Sequence, residues 1–276
     1  MDTLLRLYEL AGKILNLTIN YLLMSPKSFM SGQMYGYASR VFNVMTGIGA
    51  GLLSLFFVYG VLRSYNSFAD LRRPGALIEL LTRLVLSYGV VLYSRNILIA
   101  IMDVTQSLGR LVYNNSPYDS IMMVSDLPQE IVTAVGGLNI ITDFGACLIV
   151  VLASFVVVTS AATILLTVFG RFFRVYMHIA VAPLPLSTLS ATQTEQIGFS
   201  FLKSYLGCCL EVALIMLAIV LYAVFFHNNI NTLELIDASR KNAVVFNWVI
   251  SNTLHVLVLA SIVRTCDNII GRWLRI

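Results

Sequence analysis

Charge is what this sequence has least of. Only 12% of its residues are charged, whereas ordinary soluble domains carry about 25%. The charges are also unevenly placed, since residues 41–62, 144–170 and 244–263 contain none. A helix rises about 1.5 Å per residue, so each run is long enough to cross a hydrocarbon core of about 30 Å. One such run would suit a buried helix of a soluble protein, but three in one chain predict an integral membrane protein.

Motifs for catalysis and for binding of nucleotides or metals are missing as well. The sequence has no P-loop, dinucleotide fingerprint, HExxH or nucleophile elbow. Its four cysteines show no CxxC spacing, and its three histidines form no i,i+4 ligand pair. We therefore expect no enzyme, no cofactor and no metal site. No internal repeat is visible, which weakens the case for a transporter built from duplicated halves.

The first 24 residues have the spacing of an amphipathic helix. Arg6, Glu9 and Lys13 lie off its apolar stripe, and Ser25-Pro26 ends it. The apolar stripe consists of Leu4, Leu7, Tyr8, Ala11, Ile14, Leu15 and Thr18. Because charges run through its first half, we expect this helix to lie on the membrane, on a partner or on the protein's own membrane core, without crossing the bilayer. The early acidic residues also argue against a cleavable signal peptide.

The sequence predicts an all-α polytopic membrane protein with about five transmembrane helices. The predicted domains are an amphipathic N-terminal region, 1–40, and a helical membrane domain, 41–276. The predicted spans are about 41–62, 80–102, 144–170, 205–226 and 244–263. Arg83 and Arg95 interrupt the second span, near its inner and outer edges. Residues 103–143 are predicted to be a long polar connection, with a turn at 114–117 and a short helix from Ser125 to Gly137.

Residues 171–190 form the most unusual segment. They are largely apolar but contain Pro183 and Pro185. Each proline removes a helix hydrogen bond, and the carbonyls freed between Val181 and Leu186 need donors inside a membrane. We therefore predict a broken or re-entrant element here.

The distribution of basic residues predicts the orientation. The connector 63–83, the segment 171–204 and the C-terminal tail together hold ten Arg and Lys residues, against three in the connections 103–143 and 227–243. Basic residues near spans mark the cytoplasmic side. Five spans with the N-terminus outside and the C-terminus inside follow, with the basic N-terminal region as the exception.

Glu211 is the single carboxylate well inside a predicted span. An intramembrane carboxylate is a candidate functional group, so Glu211 would line a path, snorkel to the interface or pair with Lys203, Arg171 or Arg174. Small residues at 47–51 would allow close approach of helices, within the chain or between copies.

The stretch from Arg171 to Glu211 resembles the TrbL-type polytopic membrane subunit of type IV secretion and conjugal transfer systems. Its sequence is RFFRVYMHIAVAPLPLSTL, a polar gap and GFSFLKSYLGCCLE. Arg171 and Arg174 match the arginine-bearing turn of that family. The APL-L element is matched by Ala182, Pro183, Leu184 and Leu186, and the start of the next helix by Gly198, Lys203 and Glu211.

The resemblance implies a channel or scaffold subunit in the bacterial inner membrane. Such a subunit assembles with other membrane subunits and cytoplasmic ATPases, is expected to form homo-oligomers, and contacts transferred DNA or protein in passing. The site candidates are Arg171, Arg174, Pro183, Pro185, Lys203 and Glu211. The three cations among them are either positive-inside anchors or contacts for cargo. A small-solute transporter or permease subunit and a structural assembly factor stay open as alternatives.

Overall fold

The structure, a computed structural model, describes residues 2–64, 74–117, 144–229 and 243–274. Every long element in these ranges is an α-helix. The helices are α1 Asp2–Leu23, α2 Gln33–Ser64, α3 Pro74–Asn114, α4 Phe144–Val181, α5 Pro183–Ser187, α6 Glu195–Asn229 and α7 Ala243–Leu274. Short 3-10 turns lie at Phe29–Gly32 and Thr188–Ser190.

Five of these helices, α2, α3, α4, α6 and α7, are long and apolar enough to cross a membrane. Each contains one of the five predicted spans. The described residues include no strand. The predicted fold class, an all-α polytopic membrane protein, is therefore confirmed.

Two predicted boundaries are wrong. The predicted break begins at residue 171, but α4 continues to Val181, because 171–181 contains neither proline nor glycine to interrupt the helix. The connection predicted from residue 103 is helical up to Asn114. The turn then follows where expected, with Ser116 N–H donating to Tyr113 O at 3.0 Å. The short helix predicted at 125–137 lies outside the described residues.

The chain forms two compact units. The first consists of Met1–Leu23, Leu108–Gly170 and Val212–Asn268. The second consists of Met24–Ser107, Arg171–Glu211 and Ile269–Ile276.

In the first unit the amphipathic helix α1 packs on the protein's own membrane helices. Tyr8 and Ala11 are buried against Val157 and Ala161 of α4 and Val256 of α7. The Tyr8 ring also packs at a tilt on Trp248, with the ring centroids 5.3 Å apart. Burial raises the pKa of Tyr8 to about 12. Of the locations expected from sequence for α1, the structure therefore favours the chain's own core.

In the second unit α2, α3, α6, the end of α4 and the proline-broken segment share one core. Its buried members include Phe42, Leu98, Ile179, Leu186 and Tyr205. The turn between α1 and α2 is fastened to the end of α4: Phe29 stacks on Phe172 at 4.3 Å and Tyr176 Oη donates to Pro26 O at 2.7 Å. The broken segment is thus a core element of this unit.

Candidate functional site

The broken segment lies along one face of α2. A Cβ added at Gly49 would stand 2.8 Å from Pro183 O, and one added at Gly60 would stand 2.8 Å from Ala191 Cβ. Between these contacts Ser190 Oγ donates to Leu53 O at 3.2 Å. Gly49 and Gly60 both belong to the apolar run 41–62, so the segment packs beside a predicted membrane span and does not lie beyond its end.

Local hydroxyl groups satisfy the carbonyls at the break. Pro183 sits in the first turn of α5, where a missing N–H removes no helical hydrogen bond. Ser187 Oγ donates to Leu184 O at 2.6 Å, and Thr188 Oγ1 donates to Pro185 O at 2.7 Å. Leu184 O and Pro185 O therefore find donors in serine and threonine side chains of the segment itself, and Ala182 O accepts from the Leu186 backbone N–H at 3.2 Å.

Arg83 anchors the end of the broken segment to α3. Its guanidinium donates to Glu195 at the start of α6, to the Thr192 hydroxyl and to Leu189 O. The Arg83 side chain is 27% exposed and that of Glu195 is 37% exposed, so this ion pair lies at the edge of the unit. The sequence predicts only that Arg83 interrupts a span near its inner edge and contributes to the orientation.

Arg174 and Glu211 form a second ion pair, between α4 and α6. Arg174 Nη2 donates to Glu211 Oε1 at 2.9 Å and to Oε2 at 2.8 Å. The Glu211 side chain is fully buried, whereas the Arg174 side chain is 34% exposed. Of the partners considered from sequence for Glu211, the structure selects Arg174.

Arg171, one helical turn before Arg174, is also fully buried. Its Nε donates to Cys208 O at a long 3.4 Å, and its guanidinium carbon lies 5.5 Å from the centre of the Phe172 ring. Neither Nη1 nor Nη2 has a hydrogen-bond partner among the described residues. A buried cation without a full set of acceptors is costly, so this group is suited to an anion or to ordered water.

Three charged residues lie at different heights along α6, and two of them, Lys203 and Glu211, are predicted site residues. Glu195 and Glu211 are 16 residues apart, which is about 24 Å of helix, and Lys203 lies midway between them. Lys203 is exposed and has no ion pair within the described part of the chain. The sequence analysis placed Arg171, Arg174 and Lys203 together beside the break. The structure pairs Arg174 with Glu211, places the buried Arg171 one turn away from Arg174 and leaves Lys203 apart.

His178 lies on α4 between the ion pair and the break, and it is satisfied locally. Its Nδ1 lies 2.7 Å from Arg174 O and its Nε2 lies 3.3 Å from Ser204 Oγ. No group of His, Cys, Asp and Glu side chains within the described ranges is arranged to hold a metal ion. The arrangement offers charge, packing and hydrogen bonding to a partner or a passing solute.

The profile of the TrbL/VirB6 plasmid conjugal transfer like protein family matches residues 18–183, more than half of the chain. The chain belongs to the TrbL/VirB6 family. The resemblance noted from Arg171 to Glu211 is therefore confirmed at the level of the family. The match ends at Pro183, so Gly198, Lys203 and Glu211 lie beyond the matched residues. No curated protein and no solved structure shows a significant match.

Membership of this family indicates the general function of this multi-pass membrane protein. A TrbL/VirB6 protein of this kind is a membrane subunit of a type IV secretion or conjugal transfer system. The matched residues contain the last six residues of α1, all of α2, α3 and α4, and the first proline of the break.

Proposed function

We propose that the chain is a non-enzymatic channel or scaffold subunit of a conjugative transfer machine in the bacterial inner membrane. The observation that carries this proposal is the family match over residues 18–183. In the proposed complex it works beside other membrane subunits and cytoplasmic ATPases, which supply the energy, and it contacts DNA or protein in transit.

The two ion pairs support a structural role for this chain in such a complex. Arg83–Glu195 and Arg174–Glu211 fasten α6 to α3 and to α4. Polar and charged groups inside membrane spans are costly and are commonly retained for function. In this chain the two ion pairs hold the helices around the proline-broken segment in one position. Such rigidity is expected of a channel or scaffold past which a substrate moves.

Self-association is part of the proposal. Gly47 and Gly51, one turn apart on α2, have open space where a side chain would project. Glycines at this spacing let a second helix approach closely within a membrane. A second copy of α2 is the partner we propose for this face.

A small-solute transporter is the second candidate, because paired intramembrane charges next to a broken helix also suit a solute site. The described ranges contain one proline break, whereas transporters of that kind commonly pair two. A structural assembly factor is the third candidate. It would be needed for assembly of the machine but not for passage of cargo.

The test is deletion of the gene followed by complementation, with transfer to recipient cells and assembly of the other membrane subunits measured in parallel. We expect the deletion to abolish transfer and the intact chain to restore it. An assembly factor would leave the complex unformed without this chain and would be missing from the mature complex. Normal transfer by the deletion strain would overturn the proposal. Solute uptake by the purified chain alone in liposomes would favour the transporter.

A further inference from the structure

A polar cavity of about 490 Å³ lies between α4 and α7 in the first unit. Its lining includes Thr159 and Thr163 of α4 and Ser261, Arg264 and Thr265 of α7. These residues repeat at helical spacing, so each helix turns one polar strip toward the cavity. Both strips lie in helices long and apolar enough to cross a membrane.

The threonine hydroxyls have their hydrogens engaged. Thr159 Oγ1 donates to Phe155 O at 2.9 Å, and Thr163 Oγ1 donates to Thr159 O at 2.8 Å. On the opposite helix Thr265 Oγ1 donates to Ser261 O at 2.8 Å. Each hydroxyl oxygen therefore keeps lone pairs for a donor in the cavity.

Arg264 gives the cavity its charge. Its Nη2 donates to Thr163 Oγ1 at 3.3 Å, the one hydrogen bond that it makes within the described ranges. A guanidinium carries five N–H donors, so most of them remain available. None of the described lining residues is acidic, and the side chain of Arg264 is exposed.

Lipid is a poor match for this surface. Hydrocarbon offers neither donors to the hydroxyl oxygens nor acceptors to the guanidinium, so a lipid-facing strip of this composition would be unfavourable. By contrast, the exposed surface elsewhere in the same unit is apolar, as at Phe155 on α4 and Leu221 on α6. Water supplies both kinds of partner, and the positive charge of Arg264, which has no acidic partner among the described side chains, favours a small anion over a cation.

We infer that this cavity is a water-filled groove within the membrane domain that admits small hydrated anions, with Arg264 as the residue that selects them. The inference concerns only helices of this chain in a bilayer, so it does not depend on the proposed transfer function. Its test therefore uses thiol chemistry in place of a transfer assay.

The experiment introduces single cysteines into the full chain in native membranes. Thr163→Cys, Ser261→Cys and Thr265→Cys report on the groove, while Leu217→Cys and Leu221→Cys on α6 are exposed apolar controls. The parent protein gives the background of the native cysteines. The probes are a membrane-impermeant anionic and a membrane-impermeant cationic methanethiosulfonate. The rate at which each probe modifies the introduced cysteine is divided by its rate with a small thiol in solution, which corrects for the intrinsic reactivity of the probe.

We expect the groove positions to react and the two controls to stay unmodified. The rate ratio should favour the anionic probe by about tenfold, as expected for one unit charge about 6 Å away in a water-rich environment. Arg264→Gln on the Thr163→Cys background should abolish the preference while the thiol stays reactive.

Protection of all three groove thiols would overturn the inference, and disulfide cross-linking between copies at these positions would assign the groove to an interface. Reactivity without preference for the anionic probe, or a preference that survives Arg264→Gln, would overturn the anion assignment. Because three positions on two helices report independently, failure of one variant to insert leaves the outcome decided by the others.

Discussion

Arg174 Nη2 donates to both carboxylate oxygens of Glu211, at 2.9 and 2.8 Å. This geometry differs from the parallel fork in which two guanidinium nitrogens each bind one carboxylate oxygen. A lysine ammonium is also a single nitrogen, so it can reproduce the contact that Arg174 makes here.

The first prediction compares Arg174→Lys with Arg174→Ala. We expect Arg174→Lys to keep the thermal stability of the purified protein, because one charged nitrogen still faces Glu211. Arg174→Ala leaves a buried carboxylate without this partner and should lower the free energy of unfolding by about 3 kcal/mol. Thermal unfolding in detergent measures both.

Transfer by the same two variants at equal membrane levels separates anchoring from cargo contact. Full transfer with Arg174→Lys shows that charge suffices. Loss of transfer in a variant of normal stability shows a need for the guanidinium itself. Full transfer with Arg174→Ala would remove any functional role for the pair.

The second prediction concerns the close packing of α2 on the broken segment. Gly49→Ala places a methyl group 2.8 Å from the backbone oxygen of Pro183, which cannot move as a flexible side chain would. Overpacking of this kind costs about 1–3 kcal/mol. The control is Gly89→Ala on α3, where nothing lies within 4 Å of the added Cβ, and it should be neutral or slightly stabilising, because alanine favours the helix. Equal stability of the two variants would contradict the packing.

The third prediction concerns Arg171. Its side chain is buried, and its Nη1 and Nη2 have no hydrogen-bond partner among the described residues. Arg171→Met has similar volume and no charge, so it should leave the stability unchanged or raise it. Arg171→Lys keeps the charge and serves as the control. If Arg171 is retained for function, transfer should fall with Arg171→Met although the protein is no less stable. A clear loss of stability would instead show that the guanidinium has structural partners outside the described residues.

Orientation gives the fourth prediction. We expect reporter fusions after Thr192 and at the C-terminus to give cytoplasmic signals and fusions after Asn115 and Asn231 to give external ones, because basic residues predominate in the proposed inner connections. Paired reporters, active on opposite sides of the membrane, provide the control. An external signal at the C-terminus contradicts the five-span orientation.

The spans could be predicted because membrane crossing depends mainly on length and lack of charge, which are properties of single segments. The start of the break was misplaced because arginine suggested a turn at residue 171, whereas the backbone changes only at the prolines. The amino-acid composition of the segment shows that the helix is interrupted. The position of the break follows from the residues that lack a backbone N–H, which are the prolines.

Partner choice could not be predicted in the same way. The sequence offers Arg171, Arg174 and Lys203 as partners of Glu211, and only the packing of the helices determines which of them makes the contact. The same limit applies to Gly47 and Gly49, which differ by 200° of helical phase, so that one is open and the other is in contact. The groove had a signal that was missed, namely Thr159 and Thr163 one turn apart in an otherwise apolar span.

The separation of Glu195 and Glu211 has a consequence for how α6 can move. At about 100° per residue, 16 residues amount to 4.4 turns, so the two carboxylates project about 160° apart, toward α3 on one side and α4 on the other. Rotation of α6 about its own axis would break both ion pairs at once. A one-residue insertion between them would turn one carboxylate by about 100° and leave it without its arginine. In evolutionary terms, this stretch of α6 should accept substitutions at its exposed positions but resist any change in its length.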